Sequence, residues 1–332
     1  EASFNENADT FAFIAGGDVW VTDTTLNEPV QVTQTPYFET DILFDDARDQ
    51  IFFIGEQDGQ VDIFKAQRSD KTKPWWRNDD FEISQVTDTT EVESGLALSP
   101  KGNYLSYIRR NHGVWVLELA KDNPKHKQII STWSSVSYDW APDELWMTYS
   151  ASDDDFNYDI YIVKVSDPKT KHNLSKHPDN EFDPRWSPDG RTIAFVGRRV
   201  DREYDIFYVP LTRELDETTS RELKLEEALK NSQSQVEAAP QSDDGKEAEK
   251  ASEKGDKLNY DFSEITSRIR KISVPNVIEQ QLTWSPDSKT LIFQGEIDSV
   301  KATFAVTPYR SGSPRKLLGD QGDIIEWRTK SN

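Results

Sequence analysis

Apolar positions along this chain fall into short runs, each broken by a polar turn. TIAFVG (192–197), YLSYIR (104–109) and TLIFQG (290–295) are the clearest. Val, Ile, Phe, Tyr and Trp in this arrangement suit a pleated, half-buried surface, so the runs predict β-strands. Each is preceded by a run ending in an aromatic residue or Leu and then a turn. QLTWSPDS (281–288), DPRWSPDG (183–190), SYDWAPDE (137–144) and GLALSPKG (95–102) show it well, and DILFDDAR (41–48) and ASFNENAD (2–9) more weakly. Ser-Pro-Asp-Gly is turn chemistry: Pro presets φ, Asp bonds the backbone ahead and Gly accepts φ > 0. A third run often opens with Asp and carries an aromatic two residues later, as at Asp18, Asp62, Asp159 and Asp205. A fourth closes several units, in VQVTQ (30–34), ISQVTD (83–88) and KQIIS (127–131). Each unit reads as four strands, A to D, in an antiparallel meander.

Spacing identifies the repeat. The residues ending strand A are Phe4, Phe44, Leu98, Trp140, Trp186 and Trp284, with Trp327 in the same role, at intervals of 40, 54, 42, 46, 98 and 43 residues. Four strands in about 40–45 residues is the period of a propeller blade. The expected fold is an all-β propeller, 1–332, with six recognisable four-stranded blades in a six- or seven-bladed ring. The long interval holds either two blades or one blade with an insertion. No aromatic residue lies between Arg213 and Asp256, which favours an insertion at 213–262 in the fifth blade. Thr219 and Glu222 form a capping box that predicts a helix over 221–230. The Ser-, Gln-, Glu-, Lys- and Asp-rich tract 231–257 has little to bury and is expected to be disordered. SRIRKISVP (267–275) then supplies the delayed strand D. Residues 1–4 read as the tail of one strand A and DIIEW (323–327) as the start of another. The chain is thus expected to be a piece of a longer one, the alternative being a last strand that closes a six-bladed ring.

Composition narrows the function. With 16 Phe, 11 Tyr and 10 Trp, a large core can be buried even though 30% of residues are charged. A net charge of −21 argues against nucleic acid, which needs a surplus of Lys and Arg. The absence of cysteine excludes disulfides, thiolate chemistry and Cys-ligated zinc. No apolar run approaches the ~18 residues of a membrane span, so no membrane insertion is expected.

Catalytic and metal chemistry find little footing. DDDFNYD (153–159) invites a calcium loop, but the sixth and twelfth positions, where such a loop needs Gly and Glu, are Tyr158 and Lys164. His112, His126, His172 and His177 form no ligand spacing, and no GxSxG nucleophile turn occurs. No cofactor, metal or catalytic residue is expected in this chain. Trp140, Trp186, Trp284 and Trp327 recur in register, which points to packing between blades. Two arginine pairs remain, Arg109–Arg110 and Arg198–Arg199, each ending a strand B. In a propeller the B–C loops share a face with the D–A loops, so the pairs are candidates for holding peptide carboxylates, at matching points of blades three and five. The competing reading is turn charges paired with local acids such as Asp201 and Glu203.

The WSPDG turns, the Asp-Ile-aromatic strands and the Leu-Thr-like strand ends resemble the TolB-type propeller repeat, a WD40-like (PD40) repeat. DDFEISQVTDTTEVES (79–94), DDDFNYDIYIV (153–163), SKHPDNEFDPRWSPDGRTIAFVGRRVDREYDIFYVPLT (175–212), RELKLEEAL (221–229) and YDFSEITSRIRKISVPN (260–276) resemble the propeller region of bacterial tricorn-like serine proteases. The resemblance implies a non-catalytic propeller that admits or filters peptide or protein substrates for PDZ and peptidase domains absent from this chain, and an extracytoplasmic, periplasmic setting. The turns FNENAD and FDDARD depart from the repeat. Two alternatives are a stand-alone TolB-like adaptor that binds a partner protein and a fragment of a prolyl-oligopeptidase-type hydrolase. Because ordering 231–257 would cost ~1–2 kcal/mol per residue with little apolar surface to offset it, limited proteolysis should nick this tract first. Deleting it should leave the thermal midpoint nearly unchanged; a clear drop would show that it packs on the blades.

Overall fold

The computed structural model describes residues 2–110, 113–121, 125–199, 204–218, 221–222, 225, 228–229, 258–272, 280–297, 299–309 and 314–319. Twenty-four strands form six antiparallel four-stranded sheets, each in the chain order A-B-C-D. The first sheet is β1 (Ala2–Phe4), β2 (Thr10–Ala15), β3 (Asp18–Asp23) and β4 (Val30–Gln31). The second is β5 (Thr40–Asp45), β6 (Gln50–Gln57), β7 (Gln60–Arg68) and β8 (Phe81–Gln85). The third is β9 (Glu93–Leu98), β10 (Tyr104–Arg109), β11 (Gly113–Glu118) and β12 (His126–Ser131). The fourth is β13 (Ser137–Trp140), β14 (Trp146–Ser152), β15 (Tyr158–Lys164) and β16 (Lys171–Asn173). The fifth is β17 (Glu181–Trp186), β18 (Thr192–Gly197), β19 (Asp205–Pro210) and β20 (Arg270–Ile272). The sixth is β21 (Gln280–Trp284), β22 (Leu291–Ile297), β23 (Val300–Val306) and β24 (Arg315–Gly319). Five of the six strand A landmarks end their strands, and Phe44 stands one residue before the end of β5.

The chain divides into two compact units, Glu1–Phe156 with Ile162–Lys171 and Asn157–Tyr161 with His172–Asn332. In the first unit the core lies between consecutive sheets, because alternate residues of a strand face opposite ways. Ile51 and Phe53 cluster with Ala12, Val19 and Val21 of the first sheet. Phe52 and Ile54, their neighbours on β6, cluster with Leu105, Tyr107 and Leu117 of the third. Strand B thus reads IFFI without alternation because both of its faces are covered. In the second unit, Ala194, Val196, Ile206 and Tyr208 of the fifth sheet meet Leu282, Trp284, Leu291 and Phe293 of the sixth.

Two of the strand A tryptophans join neighbouring sheets. Trp140 stacks on Tyr104 and donates from Nε1 to Ser106 Oγ at 3.0 Å. Trp284 donates from Nε1 to the Arg185 carbonyl at 3.1 Å. Trp186 is equally buried, whereas Trp327 lies outside the described residues. The turn after strand A keeps one backbone shape in all six sheets. Its last residue is left-handed whether or not it is glycine: Ala8, Asp49, Gly102, Glu144, Gly190 and Ser288. Where Ser opens the turn, its hydroxyl accepts the N–H five residues on, as Ser187 does from Thr192 and Ser285 from Thr290, both at 3.0 Å. That geometry lets FNENAD and FDDARD make the same turn without the SPDG sequence.

The Asp that opens strand C has a fixed task. Asp18 accepts from the Gln31 amide and the Thr35 N–H, and Asp62 from the Gln85 amide and the Thr89 N–H. Asp159 Oδ2 accepts from Asn173 Nδ2 at 2.6 Å, and its Oδ1 from Ser175 Oγ and the His177 N–H, both at 3.1 Å. One buried carboxylate therefore ties strand C to strand D and caps the loop that follows.

In the fifth sheet β20 pairs antiparallel with β19, Ile206 opposite Ile272. Between them runs a helix the sequence pattern did not single out, α1 (Arg213–Glu217), whose N-cap Thr212 accepts from the Leu215 N–H. The expected disordered tract 231–257 lies outside the described residues, as does half of the expected helix 221–230. Replacing Asp159 by Ala should lower stability by about 2–4 kcal/mol, since three donors in a buried site lose their acceptor. Urea unfolding checks this against Asp154→Ala at an exposed position, where a change within ~0.5 kcal/mol is expected.

Candidate functional site

In each sheet the start of strand A, the end of B, the start of C and the end of D lie at one edge, and this edge carries most of the buried charge. Glu39, Glu93 and Glu181 each stand five residues before the strand A landmark, and all three are buried. Burial raises the carboxyl of Glu39 and of Glu93 above the usual range. Burial pushes Glu181 up to about 7, against the opposing pull of Ser175 and Arg199. Hydroxyls hold the first two: Thr35 donates to Glu39 at 2.8 Å and Thr89 to Glu93 at 3.1 Å. These acids escaped the sequence reading. Their signal is there, in ETDILF, ESGLAL and EFDPRW, where Glu recurs at one repeat position.

The structure turns two of the four expected site residues inward. Arg109 donates from Nε to Glu93 Oε1 at 3.1 Å and from Nη2 to the Tyr107 hydroxyl at 3.0 Å, and its side chain is only 13% exposed. Arg199 donates from Nη1 to Glu181 Oε1 at 2.8 Å and is 15% exposed. Arg198 makes a two-pronged pair with Asp179, both bonds 2.7 Å, while Arg110 is exposed. The partners expected from local sequence, Asp201 and Glu203, lie outside the described residues. The pairs are also one residue out of step. Arg109 faces Glu93 across the ladder, whereas Gly197 faces Glu181. The other sheets carry Ala or Gly at this position, at Ala15, Gly55, Ala151, Gly197 and Gly295. A Cβ on Gly197 would stand 2.8 Å from Glu181 Cγ, so in the fifth sheet the space over the buried acid is closed to a side chain. The third sheet alone fills the corresponding space with a guanidinium. The two pairs belong to separate compact units, Arg109 and Arg110 to the first and Arg198 and Arg199 to the second.

Around Arg109 lies an open recess of about 430 Å³, lined by Glu91, Arg109, Trp115, Gln128, Ser131 and Thr132. The guanidinium sits 4.3 Å from the centre of the Trp115 ring, a cation–π contact. Behind it the Tyr107 hydroxyl, whose ionisation burial opposes, meets His126 Nδ1 at 2.8 Å. Burial and the nearby positive charge of Arg109 lower the His126 pKa, favouring the neutral ring. Glu93, Arg109, Tyr107 and His126 thus form one internal chain that fixes the floor of the recess.

Comparison with known proteins fits this architecture. No protein-family model matches the sequence. The chain is 27% identical over 154 residues to a TolB homologue from Chlorobium chlorochromatii, covering 45% of this chain and 31% of that one. The chain has a β-propeller fold, with sequence likeness to a TolB homologue over part of its length. Among solved structures, the tricorn protease superposes with a TM-score of 0.55 at 12% identity, over 94% of this chain and 34% of that one. A puromycin-hydrolysing peptidase from Mycobacterium tuberculosis does so with a TM-score of 0.59 at 12% identity, over 96% and 43%. The propeller therefore spans about a third of the TolB homologue and of the tricorn protease, and less than half of the peptidase.

Among the described residues of the propeller, no group of three or more His, Asp and Glu side chains converges as a metal site, and no helix is long and apolar enough to cross a membrane. His172 stacks on Phe262 at 4.2 Å, His177 Nδ1 accepts from the Asp179 N–H, and His112 lies outside the described residues. Glu181 binds a proton more readily in the folded chain, at about 7, than at its ordinary 4.5. The folded state is therefore favoured at low pH, and this contribution is lost as pH rises through that window. Relative to Glu181→Gln, the wild-type propeller should lose about 2–3 kcal/mol between these two pH values and differ little in slope outside them. Urea unfolding at stepped pH measures this, and parallel curves would refute it.

Proposed function

We propose that this propeller is a non-catalytic docking module of a serine-type peptidase, which takes up peptide or protein segments for PDZ and peptidase domains of the parent protein. The observation that carries the reading is the recess on the third sheet: an open, polar and aromatic concavity at a loop edge, with a floor fixed by internal hydrogen bonds. Such a surface suits an extended chain presenting side chains in turn. Support also comes from the likeness to two peptidases whose chains extend well beyond the matched part. An extracytoplasmic setting belongs to the same proposal. A peptide-carboxylate site at the arginines is not carried into it, because three of the four guanidiniums already hold carboxylates of this chain. A second reading, a stand-alone adaptor that binds a partner protein, is favoured by the TolB homologue.

The purified chain should bind unstructured peptides and leave both them and casein uncut. Turnover abolished by a serine-directed inhibitor would overturn the non-catalytic role, and failure to bind any peptide would overturn docking. The parent reading frame past Asn332 separates the two readings: a peptidase domain supports the first and a stop codon the second.

A further inference from the structure

Two aromatic rings stand in solvent beside the recess. Trp133 directly follows the wall residues Ser131 and Thr132 and is 58% exposed; Phe156, in the turn between β14 and β15, is 74% exposed. Their centroids are 5.5 Å apart in an edge-to-face arrangement, so the rings cover each other only in part. This pairing is held from below. Ser134, buried under the loop, shares a 3.0 Å hydrogen bond with Thr132 and accepts from the Ser152 N–H at 3.1 Å, fastening the Trp133 loop to the end of β14.

The backbone at Phe156 is unusual. Its φ is +64°, and it is the one aromatic among the described residues with positive φ. The corresponding turns of other sheets use Gly16–Gly17, Asp58–Gly59 and Ser299 in that conformation. A bulky side chain is sterically disfavoured there, and an outlier of this kind points to a role for the side chain. The turn is set by the Phe156 N–H on the Asp153 carbonyl and by the Asp155 N–H on Asp153 Oδ1 at 2.9 Å. Asp154 and Asp155 directly precede Phe156 in the same turn and are exposed.

We propose that the Trp133–Phe156 ring pair, with the exposed Asp154 and Asp155 in the same turn as Phe156, is the docking point for a lysine- or arginine-bearing extended segment of a protein partner. Ring faces attract a cation, and the carboxylates of the same turn supply the opposite charge. The guanidinium lining the recess, Arg109, is balanced by Glu93, and the chain as a whole carries −21. An apolar segment without a cation would gain nothing from Asp154 and Asp155, and an acidic one would be repelled by them. The inference rests on the docking reading and names the partner's chemistry.

The test uses the whole 332-residue chain and three labelled ten-residue peptides, alternating alanine with lysine, glutamine or glutamate, followed by fluorescence anisotropy. The lysine peptide should bind about tenfold more tightly than the glutamine peptide, with its affinity falling as salt rises. Trp133→Ala and Phe156→Gly should each weaken it about fivefold or more, and Asp154→Asn with Asp155→Asn about threefold or more, at unchanged melting temperature. Phe156→Gly relieves the left-handed backbone, so a loss of binding there is not a loss of fold. Peptides that bind equally well, or a lysine preference that survives both ring variants, overturn this site and leave docking elsewhere intact. Failure of all three peptides to bind overturns the docking reading with it.

Discussion

The inner strands of this protein's sheets are apolar on both faces, as β6, β18 and β19 show, and a sheet of that kind is stable only when neighbours cover both sides. Phe52 and Phe53, adjacent on β6, belong to different cores. A single four-stranded meander would leave one of those cores in water, so the repeat is obligatory. The strand A tryptophans follow from the same constraint. They lie where two sheets meet, burying a large ring while the indole N–H finds an acceptor on the adjoining sheet, Ser106 Oγ for Trp140 and the Arg185 carbonyl for Trp284.

Close face-to-face stacking leaves charged groups mainly the strand edges, and there the chain places most of its buried acids. The Asp opening strand C takes up the orphan donors of strand D and of the loop behind it, which is why it recurs. The buried glutamates at the start of strand A lie in the same edge, Glu39 and Glu93 each held by a threonine hydroxyl of the first and second D–A loops. Arginine joins the arrangement where space permits: in the third sheet from within strand B, and in the fifth from beyond its end, because the Glu181 side chain leaves no room for one at Gly197. The carboxylate network holds the loops, and the loops carry whatever the propeller presents to a partner.

That division gives the docking reading its physical form. Rigid sheets with a hydrogen-bonded edge can display side chains without rearranging, which limits the ordering cost of binding. The recess by Arg109, walled mainly by β10, β11 and β12, and the ring pair at Trp133 and Phe156, carried on loops, both belong to the first compact unit, held by Glu93 in one case and Ser134 in the other.

The repeat, its four strands and their order were legible in the sequence, because a strand records its burial in the residue types along it and a tight turn demands Pro, Asp or Gly. The strand A landmarks fell at or next to the ends of their strands for that reason. Turns departing from the motif, at Ala8 and Asp49, were only weakly legible in the sequence, because the same left-handed residue appears there without the glycine that advertises it. The site was harder still. Adjacent arginines look alike in a sequence, and only the ladder register shows Arg109 where Gly197 stands in the fifth sheet. A guanidinium's role depends on which carboxylate lies within reach, and Glu93 and Arg109 meet across a strand pair, sixteen residues apart. The exposure of Trp133 beside Phe156 was likewise decided by tertiary structure, since apolar residues in loops carry no mark of whether they will be covered.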